Sequence, residues 1–375
     1  MILIITSKTD GHVEAVSQHL DAAGIQWTRL NTEDLATNAD ITITPTVGSG
    51  IIHLRDSGRT VNLQKISCVW FRKPDPVNLS HLALDEGSHE YVEAEFNEIF
   101  QGVYAMLRHV RWINDPFETR IAHRKLLQLQ IANRLGFKTP RTLVTNDAET
   151  ALRFADEIGG DLAIKSLGAL NVTQDVDGQT RQFGIFTRRI TRAELEEFRD
   201  KVRHLPTQFQ EFVEKRHELR ITCVGKRVFT CRIEPRPGQL TDEDCRFDIQ
   251  SLNHVACECP ELHEKLQAYM EAFGLNFGCF DIAITKSGEA VFFECNPNGQ
   301  WLWVENLTGL PIGKAIAEEL AGGHGGILTT GHGSPRKVSG RTLSKGGREY
   351  TVDRNDFVDP LSGKVFSRTY KGDSY

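Results

Sequence analysis

Phe277 to Gln300 reads FGCFDIAITKSGEAVFFECNPNGQ. Two apolar, β-branched and aromatic stretches, Phe277 to Thr285 and Ala290 to Cys295, flank Lys286 to Gly288, a pattern that predicts an antiparallel hairpin. Strand side chains alternate with period two, so Glu294 and Asn296 share a face and the paired strand can bring Asp281 beside them. Three hard oxygen donors then converge as magnesium requires, with positions left over for water or phosphate oxygens. The competing reading makes both acids solvated strand ends. Their setting in FGCFDIAI and AVFFECN, where an unpaired charge is costly to bury, counts against it.

Working outward, Lys165 ends the apolar strand LAIK, from which an ammonium can reach a phosphate without being covered. The polar, glycine-containing stretch Gly168 to Gly184 that follows is expected to be a mobile loop over a site. Lys125 falls in a helix predicted over Glu118 to Leu135, on the polar side of a stripe through Leu126, Leu129 and Ala132. Gln210, Glu211, Phe212 and Val213 follow a strand and precede the charged turn Glu214 to Glu218; backbone groups at such a strand exit can read an adenine edge, and an acid one turn further can hold ribose hydroxyls. Arg220 and Arg246 sit in or beside apolar strands, where a guanidinium can bind phosphate or carboxylate bidentately or pair structurally with Glu218 or Asp244. Asn298, Gly299 and Gln300 follow the hairpin, and the glycine permits close backbone approach to a ligand. Trp301 and Trp303 read as core.

The remaining sequence bounds the class. A chain of 375 residues exceeds one compact core, and 39% hydrophobic with 25% charged residues is ordinary for a soluble protein. No apolar run is long enough to cross a bilayer, and MILIITSKTDGH reads as a buried strand rather than a signal peptide, so a cytoplasmic location without a membrane partner is expected. The net charge of −6 divides into −10 over residues 1–322 and +4 over 323–375; so acidic a body argues against nucleic acid. Eight cysteines scattered through strand-like segments suggest reduced, packed thiols, and the spacing of His254, Cys257 and Cys259 is not that of a zinc knuckle. Met1 to Thr6, His12 to Ala23, Trp27 to Leu30 and Ser67 to Phe71 alternate as an open α/β layer, and strands mixed with helices in α+β order follow from Arg141.

Taken in order, Lys125, Lys165, QEFVEKRHELR, FDIAI and FFECNPNGQWLWVENLTGLPI resemble the ATP-grasp superfamily. CVWFRKP (Cys68 to Pro74), WINDP (Trp112 to Pro116), KLLQLQIANRLGFKTPRTLVTND (Lys125 to Asp147) and NPNGQW look more narrowly like its peptide-cyclising maturases, the graspetide or microviridin-type ligases. The resemblance covers roughly residues 1 to 320. It implies an ATP-grasp fold, α/β and α+β, with an N-terminal pre-ATP-grasp domain (1–115), a central domain (116–205) and a C-terminal nucleotide- and metal-binding domain (206–322). A glycine-rich linker and basic tail (323–375) lie beyond it.

The same resemblance implies ATP and Mg2+ as cofactors. It makes Lys125 and Lys165 phosphate contacts, Gln210 to Val213 the adenine hinge and Glu214 the ribose-side acid. Asp281, Glu294 and Asn296 become metal ligands, Arg220 and Arg246 catalytic, and Asn298 substrate-binding. Where the family has an Asp-Trp-Arg run, this chain has Asp244, Cys245 and Arg246. The implied partner is a ribosomal precursor peptide, leader and core, and a homodimer stays open. The implied reaction activates Asp or Glu side chains as acyl phosphates and closes ω-ester or ω-amide rings. Two alternatives remain: a ligase for free amino acids or a small dipeptide, and a nucleotide-binding protein without turnover. The tail mixes acids, hydroxyls and lysines as a cyclised core peptide would, but a small appended hairpin or basic extension is the simpler reading.

Overall fold

The computed structural model describes residues 1–168, 171–176, 179–185, 187–234 and 252–322, with short stretches at 342–345, 348–351, 356–358 and 365–367. The first 120 residues hold β1 (Ile2–Thr6), β2 (Trp27–Asn31), β3 (Ala39–Thr44), β4 (Ser49–Leu54), β5 (Thr60–Asn62), β6 (Cys68–Phe71) and β7 (Arg111–Ile113). Strands β1, β2, β6 and β7 make a parallel sheet in the order β2-β1-β6-β7, while β3 to β5 form a separate antiparallel sheet. Because β1 is apolar on both faces, Ile2 and Ile4 join one core with Val13, Val16 and Leu20 of helix Gly11–Ala22, and Leu3 and Ile5 another with Phe100, Val103 and Tyr104 of helix Glu86–Met106. The first of these cores also contains Val224, Phe277, Cys279, Trp301 and Ile316. The N-terminal layer therefore shares its interior with the distant hairpin and is not an independent appendage.

Six further strands follow: β8 (Thr142–Thr145), β9 (Leu162–Lys165), β10 (Asn171–Val176), β11 (Gln179–Gly184), β12 (Arg188–Ile190) and β13 (Thr207–Glu211). The central sheet runs β12-β9-β13-β8, all antiparallel, and packs on helix Ala148–Ile158. Beyond residue 205, β13 thus pairs into the central sheet. The expected loop over Gly168 to Gly184 is instead a hairpin of β10 and β11; its strand NVTQDV is too polar to carry the apolar alternation by which strands are recognised.

The C-terminal sheet consists of β14 (Lys215–Val224), β15 (Arg227–Glu234), β16 (Asn253–Cys257), β17 (Phe277–Thr285) and β18 (Ala290–Asn296), in the order β16-β15-β14-β17-β18. Its core takes in Leu266 and Tyr269 of helix Pro260–Ala272 together with Ala122 and Ala132. The single helix expected over Glu118 to Leu135 is two, Pro116–Ala122 and Lys125–Arg134. Its buried face is Gln128 and Ala132, while Leu126 is 52% exposed. The break has a physical cause: Gln128 Nε2 donates to the Ala122 carbonyl at 2.6 Å, closing the first helix from within the second.

In the tail, Thr342–Lys345 pairs with Arg348–Thr351, and Asp356–Val358 pairs with Val365–Ser367 and, through Phe357, in parallel with Gly184 of β11. Among the described residues no helix is long and apolar enough to cross a membrane.

Candidate active site

Arg220, Asp281 and Glu294 occupy one transverse row across β14, β17 and β18, each directly opposite the next. Two residues along, Thr222, Cys279 and Asn296 form the neighbouring row on the same face. The predicted convergence of Asp281, Glu294 and Asn296 is therefore built by strand register alone. A bulge follows Asp281, where Ile282 pairs with Phe292, so Phe293 is the extra residue on β18. Phe293 meets the second lysine: Lys165 Nζ lies 4.4 Å from its ring centroid.

Lys125 is the first residue of its helix, so its side chain leaves the helix end toward the sheet. Its ammonium donates to the Ser166 carbonyl at 2.9 Å and stands 3.4 Å from a Glu294 carboxylate oxygen. Two lysines from separate elements thus approach one strand of the opposing sheet. Arg220 Nη1 reaches both oxygens of Asp281, at 2.8 and 2.9 Å, and its partner is Asp281 rather than Glu218, which pairs with Lys215. Burial works against the charge of Arg220, and Asp281 outweighs it, so the guanidinium is held above its ordinary pKa. Asp281 is pushed up, with burial the largest cause and Arg220 opposing it. A divalent cation beside it would favour the charged form.

The two carboxylates keep 30% and 36% of their side-chain surface exposed, so they border open space rather than lie sealed in the sheet. Among the described residues no three His, Cys, Asp or Glu side chains are grouped to hold a metal ion unaided. Two carboxylates and an amide oxygen suit a hard cation that arrives with phosphate oxygens of its own, and the residues fit magnesium in that sense.

The hinge between the central and C-terminal sheets is Phe212 to Glu214, immediately after β13. Gln210 is 1% exposed and donates to the Thr142 hydroxyl at 2.9 Å, the Glu211 backbone N–H to the Arg141 carbonyl, and Phe212 N–H to the Asp161 carbonyl at 3.0 Å. Val213 is half-buried at the same turn. Glu214 is exposed and pairs with Lys286 at 2.6 Å. Arg246, with Asp244 and Cys245, lies outside the described residues.

Several residues at this centre carry no role in the sequence reading. Gln128, 3% exposed, brackets Cys295 between Glu294 and Asn296 of β18: Nε2 donates to the Cys295 carbonyl at 2.7 Å and Oε1 accepts from its N–H at 3.0 Å. Asn114, in WINDP, donates from Nδ2 to the carbonyls of Phe277 (2.7 Å) and Pro297 (2.8 Å) and accepts the N–H groups of Asn276 and Phe277. Arg72, in WFRKP, is 2% exposed and donates from Nη1 to the carbonyls of Asn298 (2.6 Å) and Gly299 (3.3 Å). Asp10 pairs with Arg72 Nε at 3.2 Å and with His12 Nδ1 at 2.7 Å, while His12 Nε2 accepts from the Trp301 N–H at 3.4 Å. The two motif names were legible, but the partners stand too far along the chain for spacing to reveal them. Asn298 is 8% exposed, with its amide turned to the carbonyls of Phe71 and Pro297. Trp301 is fully buried, and Trp303 packs against the same core.

The thiols near the site are unreactive by environment. Burial raises the pKa of Cys223, Cys279 and Cys295, and pushes that of Cys231 up to about 11, so none presents a thiolate nucleophile at neutral pH.

Residues 1–120 match the family model of the MvdD pre-ATP grasp domain. No curated protein matches the chain. Among solved structures, it is similar to a RiPP-associated ATP-grasp ligase of Chryseobacterium gregarium in complex with ADP and a leader and core peptide: 26% identity, TM-score 0.77, covering 86% of this chain and 97% of that one. The macrocyclase MdnC of Microcystis aeruginosa MRC, bound with precursor peptide MdnA, gives 27%, 0.75, 86% and 100%; macrocyclase MdnB of the same organism gives 26%, 0.68, 86% and 99%.

Proposed function

We propose a peptide substrate for this chain, which is an ATP-dependent ligase with the ATP-grasp fold and carries an MvdD-type pre-ATP-grasp domain over residues 1–120. The substrate is a ribosomally made precursor peptide, and the reaction joins its Asp or Glu side chains to its own Ser or Thr hydroxyls, or Lys amines, as ω-ester or ω-amide rings. The observation that carries this reading is the row Arg220, Asp281 and Glu294, with Lys125 and Lys165 brought over it from the facing elements. Neighbours that cover 86% of this chain hold ADP with leader and core peptide, or a precursor peptide, which supports a peptide rather than a free amino acid.

Gln210 to Val213, at the hinge between the central and C-terminal sheets, would hold the adenine of the nucleotide, and Glu214 its ribose. Lys125 and Lys165 answer the charge of its phosphates. Asp281, Glu294 and Asn296 would hold magnesium, which would supply positive charge to offset that of the phosphoryl group. A substrate carboxylate oxygen attacks the γ-phosphorus, the bond to the β-phosphate oxygen breaks, and ADP leaves. Arg220 orients the anion, as does Arg246, and Asn298 lies on the substrate side. The hydroxyl or amine then attacks the acyl carbon, loses its proton, and expels phosphate. Positioning and fixed charge are sufficient for both steps, and no covalent enzyme intermediate is needed.

The test is mass spectrometry of candidate precursor peptides, with repeated Thr and Glu or Asp, incubated with the protein, ATP and Mg2+. Loss of one water per ring with stoichiometric ADP supports the assignment. Phosphate release with free amino acids alone, and no change in peptide mass, refutes it.

A further inference from the structure

The run Asn296 to Trp301 is irregular backbone next to a site for anions and a cation, yet its polar groups are taken up almost in sequence. Asn114 holds the Pro297 carbonyl, Arg72 those of Asn298 and Gly299, Arg220 Nη2 that of Gln300 at 3.0 Å, and His12 the N–H of Trp301. All but Arg220 come from the N-terminal domain. Residue 299 has no room to move: a Cβ there would lie 2.4 Å from Cys279 Cβ and 3.0 Å from Arg220 Nη2. The loop is also tied to Asn296 itself, since Asn298 N–H donates to Asn296 Oδ1 at 3.0 Å.

We infer that Arg72, Asn114 and His12 are positioning residues of the ligase, through which the N-terminal domain fixes the Asn296–Trp301 backbone and with it Asn296 and Arg220. The inference rests on the reading of Asp281, Glu294 and Asn296 as the magnesium site. Arg72 suits the task because one planar fork reaches two successive carbonyls and still pairs with Asp10, which an ammonium on a flexible stem does not reproduce. His12 has a defined tautomer: Nδ1–H donates to Asp10 and Nε2 accepts from Trp301, so the ring links the domain's first loop to the clamped run. His12 and Trp301 also pack edge to face, with ring centroids 5.1 Å apart. Groups that orient ligands without touching the ion typically change metal affinity when removed, even where the fold survives.

The test uses the full chain with Arg72→Lys, His12→Ala and His12→Gln, and with Arg55→Ala, an exposed pair with Asp40, as a control. Calorimetry gives the Mg2+ concentration that half-saturates ADP binding, and thermal melts give the midpoint. Arg72→Lys and His12→Ala should raise half-saturating Mg2+ about tenfold. His12→Gln, which keeps an acceptor for Trp301, should recover most of that loss, and the control should match wild type. Turnover with the cyclisable peptide should show kcat falling while KM for ATP stays close to wild type, because the hinge and lysines are untouched. Variants that melt lower but bind Mg2+ and ADP as wild type does overturn the inference and leave the ligase reading intact. A wild-type protein that binds no Mg2+ and ADP overturns both.

Discussion

The ammonium of Lys125 stands 3.4 Å from the carboxylate of Glu294 and donates at the same time to the Ser166 carbonyl, just beyond β9. One side chain at a helix start thus bridges the central sheet to β18 of the other sheet. Glu294→Gln keeps the shape of the side chain and removes its charge. Circular dichroism should find the variant folded, with a midpoint close to wild type. Its product formation should fall by a factor of about a hundred or more. Equal activity in the two proteins would remove Glu294 from the reaction.

Gln128 makes three hydrogen bonds inside the protein, two of them to the backbone of Cys295. Gln128→Leu is close in volume but leaves the Cys295 N–H and carbonyl and the Ala122 carbonyl without that partner. The expected loss is about 3 kcal/mol, read from urea denaturation. A change below about 1 kcal/mol would mean that other groups satisfy this backbone.

Gly299→Ala adds one carbon at a point where Cys279 Cβ and Sγ lie 2.4 and 2.7 Å away. Either the loop or β17 must shift, and Arg220 lies against the same spot. The variant should lose nucleotide-dependent turnover out of proportion to its lowered midpoint, and Gly299→Ala combined with Cys279→Gly should recover part of it. No recovery in the double variant would show that the close approach to Cys279 is not the cause.

Two groups of the Asp10, His12 and Arg72 cluster give stability a defined response to acid. Burial works against ionisation of Asp10, but the His12 hydrogen bond and the Arg72 charge outweigh it and lower its pKa to about 2. A depressed carboxyl stabilises the fold above its unfolded value of 3.8, and that stabilisation is lost as pH falls through about 2. It amounts to about 2 kcal/mol. His12 is lowered from 6.5, chiefly by burial, with Arg72 and Lys73 adding to it and Asp10 opposing. The unfolded chain then takes its proton first, and stability begins to fall as pH drops below 6.5. Denaturation of Asp10→Asn should lose the lower limb and that of His12→Gln the upper. Unchanged profiles would contradict the assigned charge states.

What could be read from the chain depended on how local the signal was. Asp281, Glu294 and Asn296 were legible because strand alternation and a short hairpin place them, and both are properties of adjacent residues. Lys165 followed from the same logic at the end of LAIK. Lys125 was singled out in a helix that proved to be two, because the break is made by a side chain of the second helix and not by a glycine or proline. The β10–β11 hairpin was hidden by its polarity. The hold of Arg72 on Asn298 joins positions 226 residues apart, and no periodicity reports such a contact. In WFRKP and WINDP the tryptophans are core, but the arginine and asparagine between them face the far domain. The structural neighbours cover 86% of this chain while being covered almost completely themselves.

The most direct measurement is the intact mass of a precursor peptide after incubation with the protein, ATP and Mg2+, followed with the ADP released. The account predicts a loss of 18 Da, the mass of one water, for each ring closed, one ADP per ring, and neither with Glu294→Gln. An unchanged peptide mass alongside ATP turnover on free amino acids would contradict it.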